Sequence, residues 1–512
     1  MASDANVDRR RQLVLGGLAT WLYLATAPAV VNPDGLGYLK LLPHNFAAGH
    51  LAFMPLLRAL TRLFHGDGLR AGRLGDALLG GTGVVLLYGI VRRVLRDSGR
   101  SADDARFAAT FAAAGLALSY GYWIEAADVE AYAAATVALL STVRLLVAYG
   151  ARPTLLRALA CGALVGASVL CHVEHVLLAP LTAAYLLAHA PSRRAGFAHA
   201  AAALAVGGAL ALDVYAYAAF AVREHDLAGA LRWVGTAAHG FRYQAGAYRL
   251  ADAVYGLCKS LVYAPYLHEA DAPRLLGQFL LGLLPFAALG ALTWSARGKL
   301  PQLEWRLGAW WIAPYALFAL AFFGSDPERW LFVLPALWLL AGALTCALPR
   351  RRAIAAGVLG YLLAINLATG ILPARRDADG TRFRAESSAR QLRDGDLVIF
   401  PGHSWDEYIS FFGPPGVEPF PVCYYVARDG ADEAFARLGR EIDAARAHGG
   451  RVFAARLFDE NDVSPGQEDR RGWDELLALG FERAAVRRRV LDARPHATLA
   501  RDAAPLARLD WP

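Results

Sequence analysis

The chain has 512 residues, of which 56% are hydrophobic and only 19% charged, with a formal net charge of +7 and a mean hydropathy of +0.32. Soluble proteins carry about 25% charged residues, so this composition excludes a large water-soluble enzyme and indicates a membrane protein. The basic excess does not indicate nucleic acid, because the arginines stand in short clusters between apolar blocks, where they set orientation in a membrane.

Apolar runs of roughly 17–22 residues, long enough to cross a bilayer as helix, predict about eleven membrane-spanning helices. They cover 12–31, 72–91, 105–122, 131–149, 155–171, 176–190, 197–221, 276–295, 306–323, 330–348 and 353–372. The first follows Arg9, Arg10 and Arg11 and ends at Ala27-Pro28-Ala29. That pattern fits a cleaved signal peptide or an uncleaved anchor, and its length favours the anchor. The segment 51–64 is shorter, carries Arg58 and Arg62, and reads as an interfacial or re-entrant helix. The five cysteines form no CxxC pair. Cys161, Cys171 and Cys346 lie in apolar blocks as small buried hydrophobes, and Cys258 and Cys423 would pair only on an oxidising side.

Loop charges alternate. Arg92, Arg93, Arg96 and Arg100, then Arg152 and Arg157, Arg193 and Arg194, Arg297 and Lys299, and Arg350, Arg351 and Arg352 mark one side as cytoplasmic, with the N-terminus. Asp34, then Glu125, Asp128 and Glu130, then Glu174, then Asp326 and Glu328 share the other side with the aromatic loop 222–275. Arg375 and Arg376 after the last helix are the exception.

From about residue 373 the composition becomes that of a soluble domain. Predicted strands at 396–402, 422–427, 451–458 and 482–491 alternate with helices at 432–450 and 473–479, which makes a small α/β domain. The expected division is a membrane domain over 1–372, a linker over 373–390 and the soluble domain over 391–512, outside the cytoplasm. The stretch "PGHSWDEY" (401–408) follows the first strand, where ligand sites of α/β domains often lie. His403 and Asp406 there fit either a site or, more simply, a polar surface loop.

Four polar clusters fall on the outer side. In "NPDGLGY" (32–38) Asp34 stands in turn chemistry at a membrane edge, with Tyr38 close behind. In "YGYWIEAADVEAY" (120–132) Tyr122 and Trp123 mark an interface belt. Glu125 and Asp128 there fall on one helix face with Glu130 nearby, which fits a site or a solvated acidic hairpin. In "CHVEHVLLAP" (171–180) His172, Glu174 and His175 fit a divalent metal, a phosphate, or hydrogen bonds to each other. In "GSDPERWLFVLPALWLL" (324–340) Arg329 fits a phosphate oxygen pair or a headgroup contact. An acid to deprotonate a hydroxyl beside a cation for a phosphate suits a lipid-anchored donor.

The order of these motifs resembles the GT-C superfamily of multi-spanning glycosyltransferases, in particular the bacterial branch similar to protein O-mannosyltransferases (family 39-like). "NPDGLGY" matches its first outer loop, and "GHLAFMPLLRAL" (49–60), with His50 and Pro55, its next stretch. "RLGDALLGGTGVVLLYGIVRRV" (73–94) matches its second spanning helix. Glu130 and Tyr132 match its outer hairpin, "VLCHVEHVLLAP" (169–180) a histidine-bearing helix end, and "PERWLFVLPAL" (327–337) a late helix start. The likeness covers about 30–340. Gly35 stands where many relatives place a second acid, so Asp34 lacks a helper in its own loop.

The resemblance implies an α-helical polytopic membrane protein of GT-C-like fold. It implies a glycosyltransferase moving a sugar from a polyprenyl-phosphate-type donor to a protein, glycan or lipid acceptor on the outer face of the cytoplasmic membrane. Asp34 is then the general base, Arg329, His172 and His175 bind the donor phosphate, and Tyr38, His50, Glu125, Asp128, Glu130 and Glu174 line the site. A divalent metal on His172, His175 and Glu174 stays open, and the partners are lipids rather than nucleic acid. The rival readings are a flippase of lipid-linked saccharides, which calls for charges deep within spans, and a non-catalytic protein of envelope assembly. Arg144 and Asp213 are the nearest to mid-span charges.

Overall fold

The computed structural model describes residues 2–29, 31–42, 48–236, 248–263, 302–322, 324–376, 381–402, 405–455, 476–477, 479–494, 498–503 and 506–510, with scattered positions between 277 and 291. Of the predicted span 276–295 only those scattered positions are described, and His403 and the side chain of Asp406 lie outside the described residues. The chain divides into two compact units, Met1–Pro28 with Leu41–Pro373, and Ala29–Lys40 with Ala374–Pro512.

The first unit is helical. Its early elements are α1 (Ala2–Ala25), α3 (Phe53–Leu63), α4 (Gly68–Asp97), α5 (Ala102–Leu118), α6 (Tyr120–Ala127), α7 (Ala131–Ala151), α8 (Leu155–Cys171), α9 (Leu178–His189) and α10 (Arg193–Ala216); α2 (Pro33–Leu41) goes with the second unit. Helix starts follow their capping residues. Asp67 accepts from the Arg70 amide, Ser101 from Asp104, Thr154 from Arg157 and Ser192 from Ala195. Later helices run over Gln302–Ala321, Leu334–Thr345 and Arg351–Asn366. Among the described residues four helices are long and apolar enough to cross a membrane: Gly68–Asp97, Ala131–Ala151, Arg193–Val222 and Arg351–Arg375. The predicted span 105–122 is instead α5 and α6, bent by 64°. The bend falls at Ser119, whose hydroxyl donates to the Gly115 carbonyl and accepts from the Trp338 indole.

Small residues let helices approach closely, the usual device where lipid supplies no hydrophobic drive between them. A Cβ added at Gly162 on α8 would come within 2.0 Å of the Ala203 carbonyl oxygen on α10. Gly162→Val is therefore expected to force the two helices apart and cost about 1–3 kcal/mol. Thermal unfolding in detergent measures this, and an unchanged midpoint counts against the close contact as a stabilising feature.

The predicted aromatic belt at Tyr122 and Trp123 is a correction. Both are buried, with the Tyr122 hydroxyl donating to the Gly80 carbonyl and the Trp123 indole to the Thr26 hydroxyl. Their polar tips are satisfied inside the bundle, so they lock α6 to α1 and α4 rather than face headgroups.

The second unit has a five-stranded sheet in the order β2-β1-β3-β5-β4. Its strands are β1 (Leu397–Phe400), β2 (Glu418–Pro421), β3 (Val452–Ala455), β4 (Thr498–Ala503) and β5 (Leu506–Asp510). β1 pairs in parallel with β2 and β3, and β5 is antiparallel to β3 and β4. Leu397, Ile399, Phe420 and Val452 pack with Leu438 and Ile442 of the helix Ala431–Ala447. Two predicted strands are helices, Val422–Asp429 and Arg483–Asp492. In the second, Val486 and Val490 are buried four residues apart, a helical rather than a strand period. The two last strands went unpredicted.

Candidate functional site

In the first unit, five of the predicted site residues, His50, His172, Glu174, His175 and Arg329, meet around the short turn Val173–Leu177 between α8 and α9. His172 caps this turn, its Nδ1 accepting from the Glu174 amide at 3.2 Å. The His172 ring lies 4.7 Å from His50, 5.1 Å from Tyr132 and 5.1 Å from Phe332, centroid to centroid. His50 is held by its Nδ1 against the Cys171 carbonyl at 3.3 Å.

Arg329 comes from the turn Pro327–Trp330, which opens with the Asp326 carboxylate accepting from the Glu328 amide. Its guanidinium pairs with buried Glu174 and lies 3.6 Å from Asp326. The Tyr132 hydroxyl donates to Glu328 at 2.7 Å, which ties the start of α7 to the same turn. Burial pushes the Glu174 carboxyl up to about 7, against the opposing pull of Arg329. Burial also works against the Arg329 charge, but Tyr132, Glu174, Asp326 and Glu328 outweigh it and hold the guanidinium more firmly protonated than usual.

His175 is turned inward. Its Nε2 faces the Ala135 carbonyl at 2.9 Å and its Nδ1 the Tyr315 hydroxyl at 2.8 Å. A carbonyl only accepts, so Nε2 carries the proton and Nδ1 accepts from Tyr315. Burial lowers the imidazole to about 4, which keeps it neutral at pH 7. The metal reading of His172, Glu174 and His175 does not fit this geometry. Both ring nitrogens of His175 are engaged and Glu174 is paired with Arg329. No group of three His, Cys, Asp or Glu among the described residues is placed to hold a metal ion. Tyr315→Phe should strand the His175 acceptor and cost about 1–3 kcal/mol, read by thermal unfolding in detergent. A shift well below that range means that water or another donor replaces the hydroxyl.

Glu125, Asp128 and Glu130 form a second buried cluster in this unit. Glu125 is on α6, but Asp128 lies beyond the helix end in extended backbone, so the two do not share a helix face as the spacing predicted. Asp128 lies 3.7 Å from Arg73. The Glu130 amide donates to Asp76 of α4 at 2.9 Å, which fixes the entry into α7. All three acids are buried, so the hairpin is not a solvated acidic loop.

In the second unit, Asp34 is exposed in the first turn of α2, its amide donating to the Asn32 side chain at 3.2 Å. A carboxylate suits a helix N-terminus. Tyr38 is buried on the same helix. This helix is docked on Trp405–Phe412: the Tyr408 hydroxyl donates to the Val31 carbonyl at 2.6 Å, and a Cβ at Gly37 would lie 3.8 Å from the Glu407 carboxylate.

Asp76, Arg73, Tyr315 and Phe332 were not singled out from sequence. Asp76 and Arg73 carried a signal, as charges inside the predicted span 72–91; Tyr315 and Phe332 lie in apolar runs with nothing to set them apart.

Residues 52–238 match the family model described as dolichyl-phosphate-mannose-protein mannosyltransferase. The fold is similar to that of ArnT from Cupriavidus metallidurans bound to undecaprenyl phosphate, with TM-score 0.60, 14% identity and 97% of each chain covered. It is similar also to the apo state of that protein, with TM-score 0.55, 14% identity, and 99% of this chain and 98% of the other covered. A search of curated proteins finds no match. The mannosyltransferase resemblance read from the motifs is matched in sequence over 52–238, and the likeness of fold to ArnT extends over nearly the whole chain.

Proposed function

We propose that this membrane protein of GT-C-like fold transfers a sugar from a polyprenyl-phosphate-type donor to an acceptor on the outer face of the cytoplasmic membrane. The observation that carries the reading is the Arg329 turn, where one guanidinium stands with His172, His50 and Tyr132 at helix ends. The fold likeness supports it, since the ArnT structure was solved with undecaprenyl phosphate. A guanidinium has five donors in a fixed fork, so it can hold a carboxylate on one edge and a phosphate on another.

In this reading Asp34 takes the proton of the acceptor hydroxyl while that oxygen attacks the anomeric carbon. The bond from that carbon to the donor phosphate oxygen breaks, and the polyprenyl phosphate leaves with a charge that Arg329 neutralises. His172 hydrogen-bonds the phosphate. His175 braces Tyr315 and the turn, since its nitrogens are already engaged. Glu130 and Asp128 shape the start of α7, with Glu125 beside them. About eleven segments cross the bilayer, with 105–122 entering it as the bent pair α5 and α6, the N-terminus is cytoplasmic, and the 391–512 domain is extracytoplasmic and takes part in acceptor recognition.

The test is purified full-length protein with a radiolabelled polyprenyl-phosphate sugar and candidate protein, glycan and lipid acceptors. Label moving to an acceptor supports the reading, and none moving with any pair overturns it. A reporter fused after Arg376 tests topology, and cytoplasmic activity there defeats the proposed orientation.

A further inference from the structure

At the end of α7 away from Tyr132, the first unit has a cavity of about 610 Å³ that the proposed reaction does not use. Arg9 of α1, Arg92, Arg93 and Arg96 of α4, and Arg144 of α7 line it, with Asp8 as the one lining carboxylate. Asp8 is already taken: it is buried, pairs with Arg92, and accepts from Arg106 at 3.2 Å and Tyr88 at 3.1 Å. Arg93 is paired with Asp97 at 2.6 Å. Among the described residues no carboxylate pairs with Arg9, Arg96 or Arg144. Three helices thus bring uncompensated guanidiniums to one cavity.

Arg144 is the informative member. It is exposed, on a helix long and apolar enough to span the membrane, about two turns or roughly 10 Å before its end at Ala151. A basic flank that only sets orientation calls for arginines in the loops, not for one this far inside a span. Snorkelling along its own stem brings the Arg144 head to headgroup depth, and there it meets arginines of two other helices rather than bulk water alone. Ile90, Val147 and Ala148 supply an apolar wall to the same cavity, and Leu13 and Val14 beside it on α1 are exposed apolar side chains. A soluble anion has no use for that wall, whereas an acyl chain does.

We propose that this arginine-lined cavity between α1, α4 and α7 binds the phosphate headgroup of an acidic membrane lipid. The site is separate from the donor reading: it lies at the other end of α7 and shares no residue with the Arg329 cluster. Its ligand chemistry is a phosphodiester held by several guanidiniums, with one acyl chain along α7.

Full-length protein in neutral detergent is incubated with phosphatidylglycerol or phosphatidylcholine, and bound lipid is read by native mass spectrometry. Wild type should retain phosphatidylglycerol in preference to phosphatidylcholine. Arg144→Gln should retain phosphatidylglycerol about tenfold less well, the loss expected for one charge-assisted contact, and Arg144→Lys should fall between the two. Arg9→Gln, at an exposed position on the first helix, should weaken retention in the same direction and decides the matter if Arg144→Gln fails to fold. Equal retention of the two lipids by wild type overturns the proposal, as does equal retention by wild type and variants. Displacement of the lipid by inorganic phosphate at matched concentration overturns the lipid assignment in favour of a soluble phosphate. None of these outcomes depends on whether the sugar transfer is found.

Discussion

Asp34→Asn is expected to lower turnover about 10²–10⁴-fold, the usual contribution of a positioned general base, while donor binding stays near that of wild type. The substitution is nearly isosteric. Asn keeps a polar side chain in the first turn of α2, and the docking of that helix through Tyr408 and Val31 does not involve residue 34. Loss of folding therefore does not account for the expected result, and circular dichroism with gel filtration checks that. Asp34 is exposed, so its removal leaves no buried partner stranded. The useful signature is a split: kcat falls and the donor KM holds. Wild-type turnover in Asp34→Asn ends the base assignment, and a rise in KM with unchanged kcat moves Asp34 from proton transfer to binding.

Long apolar runs made the helical frame legible, because burial in lipid acts on local sequence. The bend between α5 and α6 was not legible, since it depends on Ser119 meeting Trp338, a residue 219 positions later. The same limit explains Tyr122 and Trp123. An aromatic pair beside acids looks like an interface belt, and only the Gly80 and Thr26 partners show that the rings point inward. In the second unit the arginine-rich stretch 482–491 read as a strand because polarity masked the four-residue spacing of Val486 and Val490. At the candidate site the residue types were legible and their pairing was not. His172 and His175 stand three apart, yet the first caps a turn and the second is spent on Tyr315 and Ala135. Nothing in the local sequence assigns Asp76 to the Glu130 amide, because that contact joins two helices.

Arg329→Ala is expected to destabilise the protein by about 3–5 kcal/mol, the range for breaking a buried ion pair from one side. Glu174 is buried in a turn with Asp326 and Glu328 close to the same guanidinium, so removing the cation leaves negative charge without compensation. The Glu174 carboxyl, already raised to about 7 by burial, then takes up a proton more readily, which moderates the loss. Glu174→Gln in the Arg329→Ala background should recover a large part of it, because a neutral amide needs no counter-ion. A double-mutant cycle on thermal or denaturant unfolding in detergent separates the coupling from the single effects. Arg329→Lys tests the fork against the charge: it should fold better than Arg329→Ala, yet still bind the donor weakly, since an ammonium cannot present two parallel N–H groups to a phosphate. If Arg329→Ala unfolds within about 0.5 kcal/mol of wild type, the usual scatter of surface changes, the ion pair does not hold this turn. If Arg329→Lys binds donor as tightly as wild type, the guanidinium is a structural brace, and the donor phosphate must find its cation elsewhere.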